Sequence, residues 1–474
     1  MKMEGVVTEA HNQAENDKVQ ESDRDTGYFQ YYAHLQHQQN MLQDFVRTNT
    51  YRNAIINLSP EAIKNKIVMD VGAGSGILSY FAVQSGASKV YSIEASSMAG
   101  KMQKILDDAN SNPNSKNRFL KDKIQIVKSK VEDIVVDIEK VDTIVSEPIG
   151  VLLVHERMLE SYIYARDKYL KPNGTMAPSL GTICLAPITD SSLWAETMQK
   201  ARFWQQPEYY SIDLTPLSTD AFKEYFSSPV VGCFNPNSIV SSTETISRFD
   251  VDFYKITLDE IKNITIPVCW DIKFTGIVHA IAGWFDLEFN LHDQLPVNQT
   301  KYDNSTDFMG NAYTPTNDAN YSSFSSDTNG KSANSGARNP VTLCTGPSYP
   351  PTHWQQVRFL LPEPIAVNYG QRLVGKMTMV VNASRSYDMH LDVSLIENSF
   401  ISSNAQIQQN LPPATQTPQL YSNNGPKYIR QTKCNWYLHE QIYNYSYNSN
   451  SNDYNNQINP ENLNLYSAES NNIN

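Results

Sequence analysis

The sequence predicts an α/β protein, a parallel sheet with crossover helices followed by an antiparallel sheet or barrel. Two observations predict the first half: short apolar runs alternate with helical segments, and glycines cluster directly after the first such run. A third predicts the second half: beyond Gly174, β-rich runs separated by turn residues dominate.

Taken in order, Ile67 to Val71 is a short apolar strand ending at glycines, and Ile77 to Gln84 reads as a helix. Lys89 to Ile93 is a second strand and Ser96 to Ala109 a second helix. Ile124 to Val127 and Val141 to Val145 are further strands, and Glu156 to Leu170 is a helix ended by Lys171-Pro172-Asn173-Gly174. Strands that alternate with helices imply parallel pairing, because a parallel connection needs a crossover. Past Gly174 the expected strands are Thr182 to Leu185, Tyr254 to Thr257, Ile277 to Phe289, Gln356 to Phe359, Arg372 to Asn382 and Met389 to Leu395. Between about residues 190 and 229 lies an aromatic-rich segment containing Trp194, Phe203, Trp204, Tyr209, Tyr210, Phe222, Tyr225 and Phe226. Such a segment is either ordinary core or an oligomerisation arm.

The 474 residues suffice for two or three domains. Acidic residues outnumber basic ones by 50 to 38, a formal net charge of -12. That surface repels nucleic acid phosphates and attracts cationic partners, so basic peptides are expected rather than DNA or RNA. Cys184, Cys233, Cys269, Cys344 and Cys434 include no close pair, which argues against a disulfide framework and against a metal site. No apolar signal core opens the chain and no long apolar run occurs, so a soluble intracellular protein without a membrane span is expected. Three stretches, 1–24, about 294–340 and 402–474, are too polar to offset chain entropy and are expected to be disordered. The middle one reads as a surface insertion, for which a regulatory role is the alternative.

The run Asp70-Val71-Gly72-Ala73-Gly74-Ser75-Gly76 follows a strand and opens a helix. Glycines there let a ligand approach the backbone. The dinucleotide fingerprint needs its third glycine one position later, where Ile77 stands, so the spacing suits a nucleoside without a pyrophosphate. Glu94 ends the next strand and can accept from both ribose hydroxyls; a helix-capping acid is the bland alternative. Glu132 follows the third strand, either at a base edge or as a solvated loop acid. Arg47, in a neutral stretch upstream, is suited to pair with a ligand carboxylate through its rigid fork, or is an ordinary surface arginine.

The segment Ser146-Glu147-Pro148-Ile149-Gly150 through His155-Glu156 carries the most chemical information. Glu147 ends a strand, Pro148 stops it, Gly150 permits a tight bend, and Glu156 is expected to open a helix. Such a hairpin can bring both carboxylates to one site. Two anions in a partly apolar pocket repel, and a planar guanidinium relieves that cost better than an ammonium. The pair would fix a guanidinium's plane, draw positive charge toward one nitrogen and free electron density on the other for attack. The alternative is two acids in unrelated roles, one at a strand end and one at a helix N-terminus.

Ser146 to Ser161 resembles the double-E loop of protein arginine methyltransferases. Tyr28-Phe29-Gln30-Tyr31-Tyr32 resembles their N-terminal helix motif, and Thr352-His353-Trp354 their Thr-His-Trp loop. Tyr28 to Arg47, Phe203-Trp204-Gln205-Gln206-Pro207 and Arg385-Ser386-Tyr387-Asp388 are most similar to the coactivator-associated, type I (histone-arginine) branch. The resemblance implies a Rossmann-like methyltransferase domain at 25–173 that binds S-adenosyl-L-methionine. It also implies a β-barrel substrate domain at 174–401 with a helical dimerisation arm at about 190–229. Glu147 and Glu156 are implied as the catalytic pair, and His353 with Asp44 as a relay for the guanidinium proton, bracing of the N-terminal helix being the alternative for His353. Gln38, Arg47, Gly72, Glu94, Glu132, Ser161, Tyr28 and Phe29 are implied as cofactor contacts, with Tyr28, Phe29 and Tyr32 as a lid. Met158, Tyr32 and Trp354 are implied at the substrate, Met158 leaving room for asymmetric dimethylation and Trp354 walling an arginine channel. Arginine-rich proteins are the implied substrates, histones and RNA-binding proteins among them, with a homodimer acting in nucleus and cytoplasm; a small guanidino or amine methyltransferase is the alternative. Ile149 and Val151 stand where the branch usually carries Met and Tyr, which bears on product type. The pleckstrin-like N-terminal domain of animal members is not expected, since 27 residues precede Tyr28.

Overall fold

The structure is a computed structural model that describes residues 27–291, 341–397 and 428–438. The expectations for 1–24 and for the insertion at about 294–340 lie outside the described residues. Two helices, α1 (27–32) and α2 (Leu35–Gln43), lead into α3 (Phe45–Leu58). Asp44 caps α3 by accepting from the Arg47 N–H at 2.9 Å, which ends α2 and starts the next helix at a fixed angle.

The first sheet has five parallel strands: β1 (Ile67–Val71), β2 (Lys89–Ile93), β3 (Ile124–Val127), β4 (Val141–Ser146) and β5 (Leu170–Ala177). Their order is β3-β2-β1-β4-β5. The chain leaves β1 to one side through α4 (Ile77–Gln84) and β2, continues outward through α5 (Met98–Ser111) and β3, and returns to the other side at β4. This reversal opens a crevice at the carboxyl ends of β1 and β4, where a parallel sheet binds ligands. Both central strands are buried along nearly their whole length, as near-continuous apolar runs require. The sheet runs on to Ala177, so the domain boundary expected at 173 falls inside β5; Lys171 to Gly174 bulge within that strand after α6 (Met158–Tyr169) has ended.

A six-stranded sheet follows, ordered β7-β12-β10-β6-β8 with β11 paired to β10. Its strands are β6 (Leu180–Ile188), β7 (Val230–Val231), β8 (Ser247–Asp252), β10 (Gly276–Phe289), β11 (Val341–Cys344) and β12 (Val357–Val367). A four-stranded antiparallel sheet, β15-β14-β13-β9, completes the barrel-like second half: β9 (Asn263–Asp271), β13 (Arg372–Val381), β14 (Tyr387–Ile396) and β15 (Tyr428–Leu438). Trp270, Trp436, Phe359 and Met377 are fully buried in it. The aromatic segment forms α7 (Ser191–Arg202) and α8 (Ser218–Ser227). It divides the two readings offered for it. At its root Trp194 and Phe222 pack on buried Phe226, and the Trp194 indole N–H donates to Leu361 O at 2.9 Å. Toward its tip Phe203, Tyr209, Tyr210 and Ile212 are exposed, and so is Tyr225 beside Phe226.

Three expectations are corrected. Tyr254 to Thr257 is a turn before α9 (Leu258–Lys262), because Asp252 accepts the N–H groups of Tyr254, Lys255 and Ile256. The helix expected from Glu156 begins at Met158, since Glu156 and Arg157 are left-handed at φ 72° and 57°. The tail expected to be disordered from 402 contains β15, where Cys434, Trp436 and Leu438 alternate with exposed residues and bury against β14.

Candidate active site

The glycine turn directly follows β1. Gly72, Gly74 and Gly76 stand at φ 70°, 56° and 91°, left-handed positions that favour glycine. A Cβ on Gly72 would lie 2.1 Å from the Met158 methyl, and one on Gly74 2.8 Å from the Gln38 amide oxygen. The turn is therefore a cradle that a side chain would fill. Glu94 spans its mouth: one oxygen accepts from Gly74 N–H and the other from Ser96 N–H, each at 2.7 Å. Gln38 closes one side, accepting from Ser75 N–H at 3.0 Å and donating to Tyr32 O at 3.2 Å. On the far side Ser161 donates to Glu132 at 2.6 Å. The cradle thus offers a carboxylate suited to a vicinal diol; the Tyr28 hydroxyl lies 3.9 Å from the sulfur of Met158, which packs on Gly72, and Phe29 stands edge-on to Tyr28 with Lys130 5.6 Å from its ring. This donor set fits a nucleoside sulfonium.

The double-E loop is a strained hairpin. Gly150 bridges to Leu153, and a Cβ at 150 would meet His155 O at 2.1 Å. Leu152, Leu153, Glu156 and Arg157 all have φ between 54° and 73°. Left-handed non-glycine residues cost on the order of 1 kcal/mol or more each and persist only where surroundings over-determine them. Those surroundings are visible. Trp354, 1% exposed, donates its indole N–H to Ile149 O at 2.9 Å; His155 Nδ1 and Ser386 Oγ lie 2.7 Å apart; Arg157 pairs with Glu160 at 2.7 Å. Trp354, expected as a wall of an arginine channel, is buried and braces the loop through this indole bond.

The hairpin turns Glu156 toward α1, where the hydroxyls of Tyr32 and Tyr28 donate to its carboxylate at 2.9 and 3.1 Å. Burial pushes the Glu156 carboxyl up to about 7; the two tyrosine bonds oppose this, the nearby charge of Glu147 adds to it, and Arg385 opposes it. Glu147 is held differently. Arg47 donates Nε–H and Nη2–H to one of its oxygens at 2.9 and 2.6 Å, both side chains under a tenth exposed. Arg47, expected at a ligand carboxylate, is thus on Glu147, and the cation expected to relieve the acidic pair is supplied for one acid by the chain itself. His353 and Asp44 also meet: the His353 backbone N–H and ring Nδ1 lie 2.9 and 2.7 Å from Asp44 Oδ2. Burial alone would raise the Asp44 carboxyl, but the His353 and Arg47 hydrogen bonds hold it below its ordinary value. Hydrogen bonds and side-chain contacts chain Gly72, Met158, Tyr28, Phe29, Glu156, Tyr32 and Gln38 together, and Asp44 joins Arg47 and Glu147 to His353 and Trp354; Glu94 lies on the glycine turn, and Glu132 with Ser161 forms a separate pair. Sequence reasoning missed the struts. Asp70, fully buried, accepts from Ser79 N–H and Oγ–H at 2.9 and 2.7 Å and anchors α4 below the cradle, and burial pushes it to about 7. Among the described residues no three His, Cys, Asp or Glu side chains cluster as metal ligands.

A Rossmann-type sheet with a glycine cradle and two neighbouring buried or half-buried glutamates, followed by a two-sheet barrel, is the arrangement of a group-transfer fold of the methyltransferase kind. Comparison with known proteins agrees. Residues 179–306 and 332–398 match the family described as arginine methyltransferase oligomerization subdomain, and residues 31–177 match that of ribosomal protein L11 methyltransferase. The histone-arginine methyltransferase CARMER of Drosophila persimilis is 40% identical over 376 residues, covering 79% of this chain. The chain spans 59% of that relative's length. Protein arginine methyltransferase 10 of Arabidopsis thaliana superposes with TM-score 0.62 at 25% identity, covering 86% of this chain and 99% of its own. The Trypanosoma brucei PRMT1 enzyme-prozyme complex with AdoHcy shares the fold at TM-score 0.60 and 24% identity, with coverage of 86% and 99%. In these matches the chain is similar in sequence to histone-arginine methyltransferases and shares the fold of solved protein arginine methyltransferases.

Proposed function

We propose that this chain is an S-adenosylmethionine-dependent protein arginine methyltransferase that forms monomethyl and asymmetric dimethyl arginine, with histones among its substrates. The observation that carries the reading is that Glu156, held by Tyr28 and Tyr32, lies near enough to feel the charge of Glu147 at the end of β4, with a glycine cradle spanned by Glu94 in the same half of the fold. The cofactor supplies an electrophilic methyl on a sulfonium. Glu94 would hold its ribose, Glu132 and Ser161 its base, and Tyr28 and Phe29 would cover it. Arg47 would exchange Glu147 for the methionine carboxylate, and Glu147 is thereby freed to join Glu156 around a substrate guanidinium. That cation favours the ionised form of Glu156, which burial otherwise opposes, so substrate charge and catalytic charge are coupled. The two carboxylates fix the guanidinium plane and concentrate its positive charge away from the attacking nitrogen. The Asp44–His353 pair stands ready to take the released proton.

Met158, an unbranched side chain against Gly72 and the Tyr28 hydroxyl, supports the asymmetric product. The exposed aromatic tip of the arm supports self-association into a dimer, measurable by sedimentation. Action on histones would require a nuclear pool of the enzyme, and a cytoplasmic pool and RNA-binding protein substrates are proposed beside it. Incubation with methyl-labelled cofactor and histone-tail peptides, read by mass spectrometry, tests the reading. Asymmetric dimethylarginine is expected; label confined to small guanidines or amines overturns it.

A further inference from the structure

The turn between β13 and β14 comes from the barrel, yet it grips both the double-E loop and the N-terminal lid. Asn382 builds it: its side-chain oxygen accepts from Ser384 and Ser386 N–H at 2.9 and 3.2 Å, and its own N–H donates to Ser386 O at 2.8 Å. Two contacts then straddle Glu156. Ser386 meets His155 on one side, and Arg157 donates to Asn382 O at 3.4 Å on the other. Between them Arg385, left-handed at φ 52°, donates to the Glu156 carbonyl at 3.2 Å and lays its guanidinium 4.4 Å from the centre of the Tyr28 ring. Tyr28 in turn donates to the Glu156 carboxylate. Arg385, Tyr28 and Glu156 therefore form a closed triangle contributed by three separated parts of the chain.

We infer that Arg385 is a positioning residue that latches the aromatic lid onto the second glutamate. It ties cofactor closure to the geometry and charge of Glu156. A planar guanidinium suits the role because it stacks on a ring and donates from its edge at once, which an ammonium cannot do. The charged and titratable groups facing Glu156 are Tyr28 and Tyr32 from α1, Glu147 from the end of β4 and Arg385 from this turn. Of these only Arg385 is cationic, so its removal leaves Glu156 harder to ionise.

The inference rests on the proposed methyltransferase reading only for its kinetic arm. Hydrogen exchange of the full chain, followed at residues 27–43 in wild type, R385Q and R385K, tests the latch without any turnover. Loss of a desolvated cation–π contact predicts roughly tenfold faster exchange at 27–32 and roughly tenfold weaker binding of S-adenosylhomocysteine in R385Q. Where methyl transfer is measured, the acid limb of kcat/KM moves to higher pH in R385Q. R385K keeps the charge and returns that limb toward wild type, while lid exchange stays fast because the flat fork is gone. Wild-type exchange and unchanged S-adenosylhomocysteine affinity in R385Q overturn the latch. A wild-type chain that labels no arginine peptide overturns the functional reading instead, and the exchange comparison still decides the latch.

Discussion

Replacing Glu156 with Gln is expected to stabilise the protein above neutral pH while abolishing its chemistry. Glu156 is moved from an ordinary 4.5 to about 7 in the fold. Between those values the unfolded chain releases the proton and the folded chain keeps it, so stability falls as pH rises through the window. Above pH 7 the ionised carboxylate costs the folded state up to about 3 kcal/mol relative to the unfolded chain. Glutamine mimics the protonated acid at every pH. The side chain is partly exposed, and the amide replaces charged acceptors for Tyr28 and Tyr32, which trims the gain. E156Q should therefore be more stable than wild type by about 1–3 kcal/mol at pH 8 and nearly equal to it at pH 5. Urea melts at the two pH values measure this. The same variant should lose at least about a hundredfold in kcat, since the acid draws charge only as a carboxylate. A stability difference that ignores pH, or normal methyl transfer by E156Q, would refute the reasoning.

Glu147→Ala strands the buried Arg47 guanidinium and should cost about 3–5 kcal/mol in urea melts, of which saturating S-adenosylmethionine restores a part by offering its carboxylate. Asp70→Asn removes a second buried carboxyl raised to about 7, so its effect should turn from destabilising or neutral near pH 5 toward stabilising near pH 8, followed by thermal melts at both. Trp436→Ala should cost about 3–5 kcal/mol, because the indole is fully buried and donates to Leu360 O; a neutral result would remove β15 from the barrel. Asp44→Ala removes the α3 cap and the His353 partner together; Asp44 lies below its ordinary value, so its contribution should be present at neutral pH and vanish as acid protonates it, checked by melts between pH 7 and 3.

What the sequence disclosed and what it hid follow from how far each signal reaches along the chain. The glycine cradle, Glu94 after β2 and Glu147 after β4 were legible because each lies within a few residues of a strand end, where local periodicity fixes its position. Glu156 was expected to open a helix that begins two residues later. Its left-handed backbone is imposed by Trp354, His155 and Ser386, contacts that span 200 residues or more and leave no local trace. Strand β15 escaped for a related reason: four buried residues at alternate positions, one of them the polar Thr432, are too few to register inside an Asn-rich tail, and only β14 reveals what they pack on. Arg385 stood in plain view in a polar turn, where an arginine ordinarily means solvent. Its meaning depends on the turn being carried to the lid by the four-stranded sheet. The chemical groups of this site are thus encoded locally, at the ends of parallel strands, whereas their exact angles and charges are set by the barrel from afar. A consequence is that substitutions in the β13–β14 turn should alter catalysis more than stability, the reverse of what its surface position suggests.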